Sequence, residues 1–296
     1  MSDLMELLRN NWIFRLGVCL FLAGILASGC AKQDGVKVDH TITGASYDFV
    51  VMGDNRPDIG QFETFLLAVS DLDVDKVVHV GDMIEFSSPL GFLSFRESLQ
   101  NCLRDDITFI PVIGNHDMDG SNGNTMASLT LFSFVFKLPT DYLGYKTLEY
   151  PDYFFIILNS YYPGEENQVG TAQFAWLRET LDEMMESEPE KPIFVFTHHP
   201  VYPAGAHPPI ENAEEFNALL MEYPTVKAVF SGHEHLYYHQ EVTSGDRTID
   251  YYVSGGAGSE LHITERGHAV HHVLGVRVSP NFTVDVLDDQ GNIIAF

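Results

Sequence analysis

Cysteine is scarce in this 296-residue chain, which has only Cys19, Cys30 and Cys102. The first two lie in the N-terminal segment, so a domain that begins after that segment keeps one thiol. A single thiol cannot form an internal disulfide, which excludes the small disulfide-stapled secreted class. The domain must be stabilised by its hydrophobic core, and a length of about 250 residues allows a core of sufficient size.

Basic residues are few as well, because 16 Lys and Arg stand against 42 Asp and Glu and give a formal net charge of -26. A protein this acidic repels nucleic acids and anionic membrane surfaces at long range. Salt screens such fields over about 8 to 10 Å, so the chemistry of a pocket depends on its local charges. We therefore expect no nucleic-acid partner.

The apolar run near the N-terminus is too short to span a bilayer comfortably. It covers residues 16–26, follows Arg9 and Arg15, and precedes the small residues ahead of Cys30. This pattern predicts a lipoprotein signal peptide at residues 1–29, whose cleavage leaves Cys30 as the lipid-bearing first residue. An uncleaved anchor helix is the alternative, and both interpretations export the remainder of the chain and tether it to a membrane.

The rest of the chain divides into a polar spacer at residues 30–44 and a single domain at residues 45–296. The sequence thus predicts an exported bacterial lipoprotein that is anchored in a membrane through Cys30 and faces the periplasm or the cell exterior. It does not predict an oligomeric state.

Short apolar runs alternate with helical stretches from Tyr47 onward, which predicts an α/β fold. The clearest run, at residues 107–113, stops at Gly114 and is followed by Asn115, His116 and Asp117. Such runs are typical of buried strands in parallel sheets, and open α/β sheets bind ligands at the carboxyl ends of their strands. A simple turn rich in turn-forming residues is the alternative for this one segment.

Other predicted strands also end in residues of the ligand type. The predicted strands are residues 47–53, 76–81, 107–113, 153–159, 193–197 and 226–232, and the predicted helices include residues 62–72, 90–103 and 171–185. Further strands are predicted after residue 247, one of them beginning near His268.

The strand ends together offer oxygen and nitrogen donors, namely Asp54, Asp82, Asn115, His116, His198, His233 and His235. This mixture suits zinc, manganese or iron better than calcium. One metal ion cannot use every donor. Two ions about 3.5 to 4 Å apart can do so if they share a carboxylate, and such sites serve phosphatases and nucleases.

Five short motifs follow one another in the order GDNR, VGDMIEF, VIGNHD, THHP and SGHEH. In this order they resemble the motifs of the calcineurin-like metallophosphoesterases, and the segment from Lys191 onward is most similar to purple-acid-phosphatase-like members. The resemblance implies a β-sandwich of two mixed sheets flanked by helices, with the metal site at the carboxyl ends of the strands. It also implies two divalent or mixed-valence ions of manganese, zinc or iron.

The same resemblance implies a role for each matching residue. It assigns Asp54 and His235 to the first metal, Asp82 to both metals, and Asn115, His198 and His233 to the second. A metal-bridging hydroxide would attack the phosphorus of a small phosphorylated substrate. His116, oriented by Asp117, would stabilise or protonate the leaving oxygen.

The chain departs from the family pattern at Arg56, where most members have a histidine ligand. An arginine has no lone pair to donate and stays protonated, so the first metal is one ligand short. Glu85, three residues after Asp82, is a candidate replacement, and a solvated or hydrogen-bonding role is the alternative. A guanidinium beside the metals suits a terminal phosphate dianion, which favours a phosphomonoesterase.

Two other functions remain open at this point. One is a phosphodiesterase of the same fold that acts on cyclic nucleotides or glycerophosphodiesters. The other is a non-catalytic envelope lipoprotein that keeps the fold, which the missing first-motif histidine makes conceivable and the retained His116 disfavours. His199 and His207 accompany His198 in the segment HHPVYPAGAH, and either substrate contact or structural packing suits them.

Overall fold

The computed structural model describes residues 44–120, 123–139 and 141–296. The predicted signal peptide at residues 1–29, the lipid-bearing Cys30 and all of the spacer except Gly44 lie outside the described residues. No helix in this described part is both long enough and apolar enough to cross a membrane.

Two mixed β-sheets form the centre of the domain. The strands of the first sheet are β1 (Phe49–Met52), β2 (Lys76–His79), β3 (Thr108–Pro111), β14 (Val273–Arg277) and β15 (Thr283–Leu287). Their order is β15-β14-β1-β2-β3. Strands β1, β2 and β3 run parallel, whereas β14 pairs antiparallel with both β1 and β15.

The second sheet packs against the first. Its strands are β6 (Lys146–Glu149), β7 (Phe154–Ile157), β10 (Ile193–Phe196), β11 (Val226–Ser231), β12 (Tyr237–Ser244) and β13 (Arg247–Ser254). Their order is β12-β13-β11-β10-β7-β6, with the four central strands parallel and both edge strands antiparallel. Two small antiparallel pairs complete the strands: β4 (Asp119–Gly120) with β5 (Gly123–Asn124), and β8 (Tyr161–Tyr162) with β9 (Glu165–Glu166).

Helices cover the outer face of each sheet. The described helices are α1 (Ile59–Ser70), α2 (Pro89–Cys102), α3 (Asn115–Met118), α4 (Met126–Val135), α5 (Thr171–Ser187) and α6 (Ala213–Met221). Helices α1, α2 and α4 pack on the first sheet, and α5 and α6 pack on the second. Local sequence starts several of them: Asp58 and Ser88 cap α1 and α2 by accepting backbone N–H bonds, and Pro89 occupies the first turn of α2.

The core between the sheets is aromatic and centres on Phe49 of β1. Its ring lies 4.8 Å from that of Phe155 and 5.4 Å from that of Phe194, both in edge-on arrangements that aromatic pairs favour. Val50 and Met52, the alternate residues of β1, pack instead against the helices. Both faces of the strand are therefore apolar, as in parallel sheets covered on two sides. This arrangement confirms the predicted α/β sandwich of two mixed sheets flanked by helices.

Most predicted elements are present, with shifted ends. Helix α1 begins at Ile59 rather than residue 62, because Asp58 supplies the cap one turn earlier. The strand predicted to begin near His268 begins at Val273, and His268 instead forms an isolated bridge with Tyr237.

Candidate metal centre

Two aspartates leave the first sheet in an unusual backbone conformation. Asp54 follows β1 and Asp82 follows β2, and each has a φ of 58°, in the left-handed region that residues with a side chain rarely adopt. His233 and His235, which follow β11 of the second sheet, also have positive φ values, of 71° and 37°. Such strained residues persist where the surrounding structure holds them, commonly at functional sites.

One group of donors forms around Asn115. Its Oδ1 lies 2.9 Å from Nε2 of His198 and 3.1 Å from Nδ1 of His233. Nε2 of His198 is also 3.4 Å from Oδ1 of Asp82. Donor atoms about 3.0 to 3.4 Å apart have the spacing of ligands around one ion with bonds of about 2.0 to 2.1 Å.

The tautomer of His198 supports a cation in this group. Nδ1 lies 2.8 Å from the carbonyl oxygen of Val80, so this nitrogen carries the proton and donates it there. In the neutral ring Nε2 then presents a lone pair to the carboxylate oxygen of Asp82. Two lone pairs facing each other in a fully buried place repel unless a positive ion lies between them, so the residues fit a metal.

A second group contains Asp54, Asp82 and His235, whose donor atoms lie within 4.8 Å of one another. Nε2 of His235 is 3.6 Å from Oδ1 of Asp54. Nδ1 of His235 donates to the carbonyl oxygen of Glu260 at 3.0 Å, which again leaves the lone pair of Nε2 facing a carboxylate. This group also fits a metal, with three protein ligands.

The protonation equilibria of these residues point the same way. Burial, together with the charge of Asp82, raises the pKa of Asp54 well above its usual value. Burial lowers the pKa of His235 to about 3. Burial alone would raise the pKa of Asp82, but its neighbours His198, His116 and Arg56 hold it at about 2. Divalent ions would stabilise the ionised carboxylates and the neutral imidazole.

Arg56 contacts the carboxylate of Asp82, which the two donor groups share. Its Nε donates to Oδ2 of Asp82 at 3.0 Å, and its Nη1 donates to Oε2 of Glu85 at 3.0 Å. Glu85 is therefore placed on the guanidinium and does not join the donor groups found among the described residues. This position agrees with the predicted alternative of a hydrogen-bonding role.

Asp117 occupies a different position from the one expected. Its carboxylate accepts backbone N–H bonds from Asp82, Met83 and Gly114, each at 2.9 Å, and the hydrogen bonds of the described residues include none from it to the ring of His116. Burial raises the pKa of Asp117 to about 8. The expectation that Asp117 orients His116 is thus corrected: Asp117 joins the loops that follow β2 and β3, because three unpaired amides of those loops converge on it.

His116 is held by the backbone instead. Nδ1 lies 2.8 Å from the carbonyl oxygen of Glu85, and the backbone N–H donates to Oδ1 of Asp82 at 3.0 Å. The ring is partly buried, with the ring of Phe86 6.4 Å away. A proton on Nδ1 leaves Nε2 to accept a proton, or to donate one when the ring is charged.

A cavity of about 580 Å³ lies beside the donor group that contains His235. Arg56, Glu85 and His235 line one part of it, and the segment from Ser259 to Thr264 lines another. The cavity is large enough for a small ligand.

The two histidines that follow His198 in the chain, His199 and His207, differ in burial. His199 is buried, with Nδ1 2.8 Å from Oγ of Ser160 and its ring 4.3 Å from that of His233. Burial lowers its pKa well below the usual value, and one of its ring nitrogens lies within 4.8 Å of donor atoms of His198 and His233. The side chain of His207 is 45% exposed and its ring lies 4.7 Å from that of His233.

Sequence reasoning missed two residues beside the centre, Glu234 and His262. Glu234 stands inside the SGHEH motif, so its position between two candidate ligands was a usable signal. His262 follows β13 in a segment that matches no motif, and only the folded chain brings it close.

The fold and these donor groups define a class of protein: an α/β sandwich that binds metal ions at the carboxyl ends of its strands. The family model for the calcineurin-like phosphoesterases matches residues 47–237, which is more than half of the chain. The chain belongs to this family. The order of the motifs predicted this membership.

Similar solved structures share the fold at low sequence identity. A purple acid phosphatase from yellow lupin seeds has a TM-score of 0.64 and 14% identity, over 86% of this chain and 54% of the lupin chain. A dimetal phosphatase from Danio rerio has a TM-score of 0.61 and 14% identity, over 81% and 95% of the two chains. GAP50 of Plasmodium, described as an anchor in the inner membrane complex, has a TM-score of 0.59 and 14% identity, over 83% and 86%.

This chain spans about half the length of the lupin phosphatase. A comparison with curated proteins finds no match. These likenesses extend to the fold alone, and the substrate is inferred from the site.

Proposed function

We propose that this protein is a two-metal phosphomonoesterase that hydrolyses small phosphorylated substrates. The observation that carries the proposal is the position of Arg56. It touches the shared Asp82 and lines a cavity that His235, a member of one donor group, also lines. A substrate phosphate that enters this cavity would meet the guanidinium of Arg56 and the ring of His235 together.

The proposed ligands divide between two ions of zinc, manganese or iron. Asp54, Asp82 and His235 would hold the first; Asp82, Asn115, His198 and His233 would hold the second. When bound, such ions activate water and neutralise the charge on the phosphoryl oxygens. The mixed oxygen and nitrogen donors suit these metals.

The chain's own groups would orient the ester. Arg56 uses Nε for Asp82 and Nη1 for Glu85, and the remaining N–H groups of its fork are available for phosphate oxygens. His116, with its ring held by the carbonyl of Glu85, would give a proton to the leaving oxygen when charged. A monoester carries one more negative charge than a diester, so a fixed guanidinium favours the monoester.

Assays of the purified protein with a panel of aryl monoesters, diesters and pyrophosphates, each with manganese, zinc and iron, test this proposal. We expect the highest kcat/KM for monoesters. A higher value for diesters would favour the phosphodiesterase alternative. No turnover with any metal would support the non-catalytic envelope lipoprotein, which the ion pair between Arg56 and Asp82 keeps under consideration.

Replacement of Arg56 by histidine should have two opposite effects. The histidine supplies a ligand and releases Oδ2 of Asp82, so the first metal should be held more tightly. The lost charge-assisted contact contributes about 1.5 to 3 kcal/mol, so the KM for a monoester should rise by about ten- to a hundredfold. The KM for a diester should rise less. Metal analysis and steady-state kinetics measure both effects.

Glu85→Gln is the matched control, because it removes one partner of Arg56 and keeps the guanidinium. This variant should retain the preference of the wild type for monoesters. If Arg56→His changed both ester types equally and left the metal content unaltered, Arg56 would have a structural role only. The preference for monoesters would then lose its main support.

We also propose that the protein is a lipoprotein exported to the periplasm or the cell surface and anchored through Cys30. The support is the sequence of residues 1–30, with its basic flank, short apolar run and small residues before the cysteine. The strongly acidic domain has no electrostatic attraction to an anionic membrane, so a covalent lipid would supply the attachment.

Replacement of Cys30 by serine should therefore block maturation, so that the signal peptide is not cleaved from the chain. The wild type should fractionate with membranes and carry an acylated N-terminal peptide in mass spectrometry, whereas the variant should keep residues 1–29. A native protein with an unmodified Cys30, or with cleavage well beyond it, would exclude the lipid anchor. Cys102→Ser is the control and should mature normally.

A further inference from the structure

Another cluster of metal-type donors lies beside the candidate metal centre. It consists of Glu234, His207 and His262, whose donor atoms all lie within 4.8 Å of one another. Nδ1 of His207 is 3.5 Å from Oε1 of Glu234, and Nδ1 of His262 is 3.6 Å from Oε2. These distances exceed those of good hydrogen bonds but are typical of ligands arranged around a shared ion.

The carboxylate of Glu234 is buried, and the groups that donate hydrogen bonds to it are backbone amides. Its side chain is 1% exposed, and no Lys or Arg pairs with it among the described residues. Its oxygens accept the backbone N–H groups of Ala206 at 2.7 Å and His207 at 2.6 Å. The loop around Gly205 can approach this carboxylate only because residue 205 has no side chain, since a Cβ there would lie 1.9 Å from Oε2 of Glu234. A buried carboxylate without a cation is costly, which calls for a positive partner.

His262 supplies an independent indication that this cluster binds an ion. Its Nδ1 is buried and has no hydrogen-bond partner. The ring is nevertheless fixed, because it stacks on His235 at 4.4 Å and the backbone N–H donates to the carbonyl of His235 at 3.0 Å. An orphaned nitrogen held toward a buried carboxylate is the arrangement that a metal ion would satisfy.

We propose that Glu234, His207 and His262 bind a divalent transition-metal ion, with zinc as the best match, separately from the two-metal centre. Two imidazoles and one carboxylate form a ligand set that zinc uses where it keeps an open coordination position. His262 also lines the cavity that contains Arg56 and His235, so the ion borders the space for substrate. A cation there is suited to an anionic part of the substrate.

Metal counting tests the site directly. The full-length protein is stripped with a chelator, reloaded with zinc, desalted and analysed by mass spectrometry for metal content. His262→Ala and His207→Ala should each bind about one zinc ion fewer than the wild type. Reloading with cobalt gives a second readout, because the visible bands of one cobalt ion should disappear in the same variants.

Two controls separate this site from its neighbours. His268→Ala removes a ring that packs on Phe296, 4.1 Å away, and should keep the wild-type metal content. Asn115→Ala should lose metal from the two-metal centre and keep the cobalt bands that His262→Ala abolishes. The rings of His207 and His262 make no hydrogen bond within the described residues, so their removal should leave the fold intact, which circular dichroism checks.

Unchanged zinc content and cobalt spectra in both histidine variants would overturn the proposal and leave a metal-free cluster of histidines around a carboxylate. The result does not depend on catalysis. Zinc loss in His262→Ala together with an inactive wild type would contradict the phosphatase and support the additional site. Normal phosphatase activity of the wild type together with unchanged zinc content in His262→Ala would support the phosphatase and contradict the additional site.

Discussion

Asp82→Asn should abolish phosphatase activity and reduce the content of both metals in the two-metal centre. Oδ1 of Asp82 lies 3.4 Å from Nε2 of His198, while Oδ2 accepts a hydrogen bond from Arg56. An amide is neutral and offers only one acceptor atom, so it cannot serve two ions. Metal ions supply several kcal/mol of transition-state stabilisation, so kcat/KM should fall by about three to five powers of ten.

Asp285→Asn is a matched control, because Asp285 also pairs with an arginine, Arg277, but lies in β15 outside the donor groups. This control should retain its metals and its turnover. Metal analysis, circular dichroism and kinetics on the same preparations distinguish loss of metal from loss of fold. A folded Asp82→Asn protein with full metal content and wild-type turnover would contradict the assigned role of the shared carboxylate.

His116→Ala should lower turnover and leave the metal content unchanged. In the proposed mechanism the ring transfers a proton to the leaving oxygen, a contribution worth about a hundredfold to ten-thousandfold in kcat. Esters with acidic leaving groups need less help from a proton, so aryl phosphates with electron-withdrawing substituents should lose less activity than alkyl phosphates. A series of monoesters of graded leaving-group pKa measures this dependence.

The control for this variant is His239→Ala, which removes a histidine that pairs with Asp250 on the strand pair β12 and β13. It should behave as the wild type across the whole series. Equal losses for acidic and basic leaving groups in His116→Ala would assign the residue to charge stabilisation. Full activity would remove His116 from the mechanism.

The sequence alone was enough to predict an α/β fold with donors at the strand ends, and the family resemblance added the two-sheet sandwich. Apolar runs that end in Asp54, Asp82, Asn115, His198 and His233 predict parallel strands with their carboxyl ends at one edge. The fold places these residues together because parallel strands of neighbouring sheets deliver their ends to the same side. Helix caps such as Asp58 and Ser88 are equally local signals.

The contacts of Asp117 and Glu85 could not be predicted in the same way. The resemblance paired Asp117 with His116. The carboxylate of Asp117 instead accepts hydrogen bonds from backbone N–H groups of the loop after β2. The ring of His116 is held by the carbonyl of Glu85. The Glu85 side chain turns to Arg56. Each contact depends on where the backbone of a different loop presents an N–H group or an oxygen, which no spacing of side chains in one segment encodes.

The sequence by itself therefore determined the family, the fold and the residue types at the strand ends, because these follow from hydrophobic patterning and from the order of short motifs. Only the tertiary structure decided the proton positions on His198 and His235, which distant carbonyl groups set. It alone also decided the cluster of Glu234, His207 and His262. Those three residues come from different loops, and their donor atoms meet only when the second sheet and its loops are folded.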